Sequence, residues 1–342
     1  MYPGRREVSR FGATILDADG LALSREEVAV FREANPFGFI LFARNIDTPD
    51  QVRRLCDQMR EAVGRAAPIT IDQEGGRVQR LRGPTWTDWT PPLDFVTAAG
   101  DRAEEAMYLR YRLIAAELHA LGIDSNCAPM VDLAGPQTHD FLRNRCYGAR
   151  PKAVARLGRA AASGLLAGGV LPVLKHIPGH GRATLDSHYD LPEVEADAAT
   201  LAAEDFAPFK ALADLPMGMT AHLVYRAYDT APATLSPRLM QVIRDEIGFD
   251  NLIMTDDISM KALSGTPEEI ATGALAAGCD VVLQCNAPLE ARRRVAEAAG
   301  EMTEAAQIRA ERALAFRKPP DDIDIVAARA QLDTLLAEQT TS

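Results

Sequence analysis

The chain has no surplus of positive charge: 37 Lys and Arg stand against 48 Asp and Glu, for a net charge of −11. Nucleic acid and anionic membrane both demand a basic face, so neither is expected as a principal partner, and the acidic excess reads as a solvated surface. No stretch approaches the ~18 apolar residues that a spanning helix needs, and the opening Met1-Tyr2-Pro3-Gly4-Arg5-Arg6-Glu7 runs into mixed polar sequence without an apolar core. The five cysteines, Cys56, Cys127, Cys146, Cys279 and Cys285, are odd in number and never spaced C-x-x-C, which argues against a disulfide framework or a structural zinc site. The cytoplasm is the expected compartment. No G-x-G-x-x-G follows an early strand, so a dinucleotide-binding open sheet is disfavoured, and neither repeats nor low-complexity tracts occur.

What the chain does contain is a rhythm. Short apolar runs at 12–16, 38–42, 68–71, 124–128, 171–175, 217–221, 251–255 and 280–284 are each followed by a stretch of helical character. Ser24 with Glu27, Thr48 with Gln51, and Thr266 with Glu269 have the spacing of capping boxes, two of them with Pro at the first helical position. Ser236-Pro237 opens a further helix that Gly248 closes. Eight alternations of strand and helix predict an α/β protein with a single (β/α)₈ TIM-type barrel. Residues 1–317 are expected to form that barrel. Lys318-Pro319-Pro320 breaks its last helix, and 318–342 is expected to supply a C-terminal helix (325–338) and tail packed on the outside. Connections between strands three, four, five and six are long, and long loops at the rim of a barrel usually carry function.

Ionisable residues collect where such a barrel would place a site, at the C-terminal strand ends. Strand three runs into Asp72-Gln73-Glu74-Gly75-Gly76-Arg77-Val78-Gln79-Arg80, and strand four is followed by Asp132. Strand five ends in Lys175-His176-Ile177-Pro178-Gly179-His180-Gly181, with Asp186-Ser187-His188 soon after. Strand six ends near His222 and strand seven in Asp256-Asp257. An Asp at a strand-to-helix turn is often only an N-cap, and Asp-x-His alone is often a surface turn. Arg80 could also serve simply as an ion-pair partner of Asp72 or Glu74.

Taken together, K-H-I-P-G-H-G with D-S-H, I-D-Q-E-G-G-R-V-Q-R, R-C-Y-G at 145–148, M-T-A-H at 219–222 and M-T-D-D at 254–257 resemble glycoside hydrolase family 3. The likeness is to its single-domain bacterial β-N-acetylglucosaminidases. From its 342 residues the chain is expected to lack the second domain that supplies the acid/base carboxylate in two-domain relatives. The resemblance implies a retaining mechanism with Asp256 as nucleophile and His188, steered by Asp186, as acid/base. An imidazole titrating near ~6.5 suits that double duty. It further implies that Asp72, Arg80, Arg145, Lys175 and His176 hold the non-reducing sugar, with His180 and His222 bracing the rim. Two departures stand near the site: Ile177 where Phe is commoner, and Cys146-Tyr147 in place of Ser-Phe.

The activity so implied is exo-hydrolysis of terminal β-1,4-linked N-acetylglucosamine (GlcNAc) from peptidoglycan fragments, GlcNAc-1,6-anhydro-N-acetylmuramic acid and its peptides, in cell-wall recycling. No metal or organic cofactor is expected, and a single catalytic barrel is expected to act as a monomer on a small oligosaccharide. The sole tryptophans, Trp86 and Trp89, favour a small pocket over an extended polysaccharide cleft, and otherwise read as packing residues. Other readings stay open. They are a β-glycosidase of different specificity, a glycoside phosphorylase, a binding protein that has lost catalysis, and a metal-dependent hydrolase using His176, His180, His188 and His222. Against the last, the early strand ends lack an H-x-H.

Overall fold

A computed structural model describes residues 10–183 and 191–340. Eight parallel strands close into a barrel: β1 (Gly12–Asp17), β2 (Pro36–Leu41), β3 (Ile69–Ile71), β4 (Ser125–Asn126), β5 (Leu171–Ile177), β6 (Met217–Thr220), β7 (Leu252–Asp257) and β8 (Val281–Gln284). Each pairs with its sequence neighbours, and β1 closes the ring on β8 with Thr14 opposite Val282. Each of the eight apolar runs coincides with one strand.

Why these runs are apolar throughout, rather than alternating, follows from burial on both faces. Ala13, Ile15, Phe37, Ile40, Leu171, Val173, Met217, Met219, Leu252, Met254, Val281 and Leu283 fill the barrel interior. Their neighbours Leu16, Phe39, Leu41, Leu174, Ile253 and Val282 face outward into the helix layer. One face thus packs the barrel and the other seats the helices with the period of two that a strand imposes, save on β2, where the ladder to β1 slips and Phe37 joins Ile40 in the inner cluster.

The helices begin where side chains can satisfy their free N–H groups. Ser24 and Thr266 form complete capping boxes with Glu27 and Glu269. Thr48 differs from expectation: its hydroxyl accepts from Gln51 N, but the Gln51 amide turns away to the backbone of Asp47, Leu21 and Asn45. That Gln51 ties a loop rather than closing the box. The helix opened by Ser236 runs Pro237–Gln241 and continues as a π turn, Val242–Glu246, before Gly248 adopts φ +81°. A final helix, Ile325–Thr340, lies against helices Pro92–Ala99 and Ala103–His119, burying Ala328, Leu332 and Leu335. Among the described residues no helix is long and apolar enough to cross a membrane.

Candidate active site

Strand parity explains how the site is reached. On β5, inward positions run Leu171, Val173, Lys175; on β8, Val281, Leu283, Cys285. Continued past the packed interior, this phase brings Phe42, Asp72, Lys175, Asp256 and Cys285 to one mouth, a cavity of about 360 Å³. Strict alternation would send His176 and Asp257 outward, yet both also line the cavity. The ladder slips at both places: between Leu174 and Ile177 on β5, and between Met254 and Asp257 on β7. Bulges of this kind re-aim side chains beside active sites.

The floor is an ion-pair cluster. Lys175 donates to Asp72 at 3.0 Å and lies 2.6 Å from Glu74, so one ammonium bridges two carboxylates. Arg80 donates to Asp72 at 3.0 Å, and Arg145 grips Glu74 through Nε at 3.0 Å and Nη2 at 2.8 Å. Glu74 is fully buried (0 % exposed). Burial alone would raise the Glu74 carboxyl, but the Arg145 and Lys175 charges override it and hold it down to about 2. Asp72 behaves alike: burial opposes ionisation, and Lys175 with Arg80 drives the carboxyl well below its usual range. Against the same burial, those carboxylates raise Lys175, which stays charged. Arg80 thus is an ion-pair partner of Asp72 and a cavity-lining residue together.

A second group surrounds Asp256. Asp132 is buried and accepts from His176 Nδ1 at 2.7 Å and from His180 N at 2.6 Å. Burial works against the Asp132 charge, but the two imidazoles and these hydrogen bonds hold its carboxyl below the ordinary value. An ionised carboxylate only accepts, so His176 carries a proton on Nδ1 and turns Nε2 toward Asp256 Oδ2, 4.0 Å away. Asp256, 24 % exposed at the cavity, also has its carboxyl lowered: burial resists, and His176, His222 and the Asp257 N–H at 2.8 Å prevail. His222 donates from Nε2 to the Asp257 carbonyl (3.1 Å) while Nδ1 accepts from the Thr234 hydroxyl (2.7 Å), bracing the peptide that carries Asp256. Burial lowers His222 and brings His180 down to about 4. Asp257, also at the cavity, commits its carboxylate to Ser259 N (3.0 Å), Ser259 Oγ (2.7 Å) and Asn286 Nδ2 (3.3 Å), accepting from each, and so holds the turn after β7.

Of the residues singled out in the sequence, Asp72, Arg80, Arg145, Lys175, His176 and Asp256 line this one cavity. Asp186 and His188 lie outside the described residues. The sequence offers Glu74 only as a possible partner of Arg80, which instead pairs with Asp72, and Asp132 only as the residue after strand four. Trp89 is buried beneath the Arg110 and Arg329 guanidinium groups, and Trp86 packs on the core; neither lines the cavity. All five cysteines are free and buried. Among the described residues no group of three or more His, Cys, Asp or Glu converges as a metal site.

This arrangement supplies an ionised carboxylate beside a set of charged hydrogen-bond partners suited to hydroxyl and amide groups. Comparison with known proteins points the same way. Residues 12–315 match the glycosyl hydrolase family 3 N terminal domain. A β-hexosaminidase of Alkalilimnicola ehrlichii is 38 % identical over 287 residues, 81 % of each chain. One of Chromobacterium violaceum is 39 % identical over 290 residues, 82 % of this chain and 80 % of its own. The crystal structure of NagZ from Neisseria gonorrhoeae superposes with a TM-score of 0.83 at 30 % identity over 96 % of both chains, and that protein has also been solved in complex with N-trifluoroacetyl-D-glucosamine. The chain is therefore a glycoside hydrolase, belonging to family 3 and standing within it beside the proteins named β-hexosaminidase.

Proposed function

We propose that the enzyme is a retaining exo-β-N-acetylglucosaminidase that removes terminal β-1,4-linked GlcNAc from peptidoglycan fragments, among them GlcNAc-1,6-anhydro-N-acetylmuramic acid and its peptides. The observation that carries the reading is Asp256, an ionised carboxylate at the open end of a cavity walled by Asp72, Arg80, Arg145, Lys175 and His176. Asp256 attacks the anomeric carbon as the bond to the leaving oxygen breaks, forming a covalent glycosyl-enzyme. His188, paired with Asp186, gives its proton to that oxygen and later takes one from the water that releases the sugar. The floor carboxylates accept from sugar hydroxyls while Lys175, Arg80 and Arg145 donate. The bound N-acylglucosamine of the gonococcal relative supports the sugar assignment. Five free, buried cysteines suit a reducing cytoplasm. The large exposed apolar residues sit on separate elements (Leu21, Ile308, and Ile325 with Val326), which suits a monomer.

The test pairs 4-nitrophenyl β-N-acetylglucosaminide with the β-glucoside. The N-acetylglucosaminide should be strongly preferred, Asp256→Ala should abolish turnover, and the first-formed product should be the β-anomer by NMR. Preference for the glucoside overturns the sugar assignment, and an α-anomer released first overturns retention.

A further inference from the structure

Four arginines are buried among the described residues, and three of them hold a carboxylate: Arg112 with Asp321, Arg145 with Glu74 and Arg292 with Asp17. The fourth, Arg110 on the helix Ala103–His119, is fully enclosed (0 % exposed) and forms no ion pair among the described residues. Its Nη2 donates to the carbonyls of Glu74 (2.7 Å) and Thr90 (2.6 Å), while Nε and Nη1 have no hydrogen-bond partner there. The guanidinium sits against Phe95, 4.5 Å from the ring centroid, and Trp89, 5.4 Å away. Burial opposes the Arg110 charge, and a buried cation without a counter-charge is costly. An apolar side chain would fill the same space without that cost, so packing does not account for an arginine here.

What this guanidinium reaches is the main chain of the cavity floor. Glu74 gives its carboxylate to Lys175 and Arg145, and gives its carbonyl to Arg110. The approach is so close that a Cβ on Gly75, at φ +113°, would collide with Arg110 Nη2. The next residue, Gly76, donates its N–H to the Trp89 carbonyl at 2.7 Å. Residues 74–76 and 89–90 are thereby clasped together, with Arg110 across the seam. Trp89 is pinned in turn: Arg329 of the C-terminal helix lies 4.6 Å from its ring centroid and donates to the Thr87 hydroxyl at 2.9 Å. The groups around Asp256 hang on other strands, with His176 on β5, the Asp257 N–H on β7 and His222 just past β6.

We infer that Arg110 is a positioning residue for sugar binding: by holding the Glu74 main chain it sets the carboxylate that fixes Lys175 and Arg145. The inference rests on the glycosidase reading above and adds to it a residue that never touches the sugar. Because Asp256 and its partners stand apart from this clasp, loss of Arg110 weakens sugar binding while bond breaking in the filled site is kept. A residue that served the fold alone would lower Tm and leave KM where it was.

The experiment takes the full chain with 4-nitrophenyl β-N-acetylglucosaminide as substrate and free GlcNAc as competitive inhibitor. Arg110→Met should raise both KM and the inhibitor's Ki about tenfold and keep kcat within about twofold, the pattern of lost binding rather than of a lost transition-state contact. Arg110→Lys, whose ammonium can donate to both carbonyls, should recover part of the difference. Arg110→Gln takes the place of the methionine variant if that one does not fold. KM and Ki unchanged in a folded variant, or a loss confined to kcat or to Tm, overturns the Arg110 assignment while leaving the glycosidase reading intact. A wild type that does not hydrolyse the N-acetylglucosaminide overturns both.

Discussion

Glu74→Gln is the substitution whose consequences the structure specifies most fully. Glutamine keeps the shape but exchanges one acceptor oxygen for an NH₂ that must face N–H donors of Arg145 or Lys175, now 2.6–3.0 Å away. The floor then holds three cations against Asp72 and Asp256. Breaking a buried pair by removing one partner costs about 3–5 kcal/mol. Unfolding entropy of about 2.1 cal/mol/K per residue gives about 0.7 kcal/mol/K for 342 residues, so Tm should fall by about 4–7 °C. The acid dependence carries a sign. Glu74 titrates near 2 when folded, below its unfolded value, so its stabilisation is complete above about pH 4.5 and is lost as pH drops toward 2. Because Gln does not titrate, the gap between wild type and variant should narrow across that window. Scanning calorimetry from neutral pH downward checks both statements. A fall in Tm below about 1 °C at pH 7, or a gap that stays constant into acid, would refute the claim that Glu74 anchors the floor.

Other expectations follow from single contacts. Asp132→Ala removes the acceptor that fixes His176 Nδ1–H, so the imidazole should lose its orientation toward Asp256 and kcat/KM fall by up to about 10²-fold; an effect confined to thermal stability would show that His176 does not depend on it. Since Asp256 is held below the ordinary carboxyl value, the acidic limb of kcat/KM should lie below about pH 4. A limb near pH 5 would mean that another group governs ionisation. Tyr147 and Tyr111 share a buried hydroxyl pair at 2.9 Å. Tyr147→Phe should cost about 1–3 kcal/mol by leaving the Tyr111 hydroxyl unpaired, and the double Phe variant should recover much of it. Additive losses in urea melts would exclude the coupling.

The barrel was legible because each strand is buried on both faces and so reads as an uninterrupted apolar run, closed by turn residues and capped helices. The elements that escaped detection are those whose cause is not local. Gln51 has the capping-box position, but its amide is captured by the carbonyl of Leu21, thirty residues away. The π turn at Val242–Glu246 carries no composition that separates it from ordinary helix. Glu74 reads in the sequence as a possible partner of the nearby Arg80, but its partner Arg145 is 71 residues distant, and only barrel closure brings them together. Asp132 was seen at a strand end, but its work is done on the ring of His176 across two strands.

One signal was nonetheless present and physical. Lys175 and His176 are adjacent, as are Asp256 and Asp257, and a strand cannot point two successive side chains to the same face. If both members of each pair serve one cavity, the ladder must slip at those two strands, and it does so at both. A dipeptide of ionisable residues at the end of an apolar barrel strand is therefore readable as a bulge as well as a site. The bulge has a consequence for chemistry: on β5 it lets one strand end present both the ammonium that bridges Asp72 and Glu74 and the imidazole that faces Asp256. On β7 it separates the two aspartates' duties, leaving Asp256 open to the cavity while Asp257 ties down the turn that carries it.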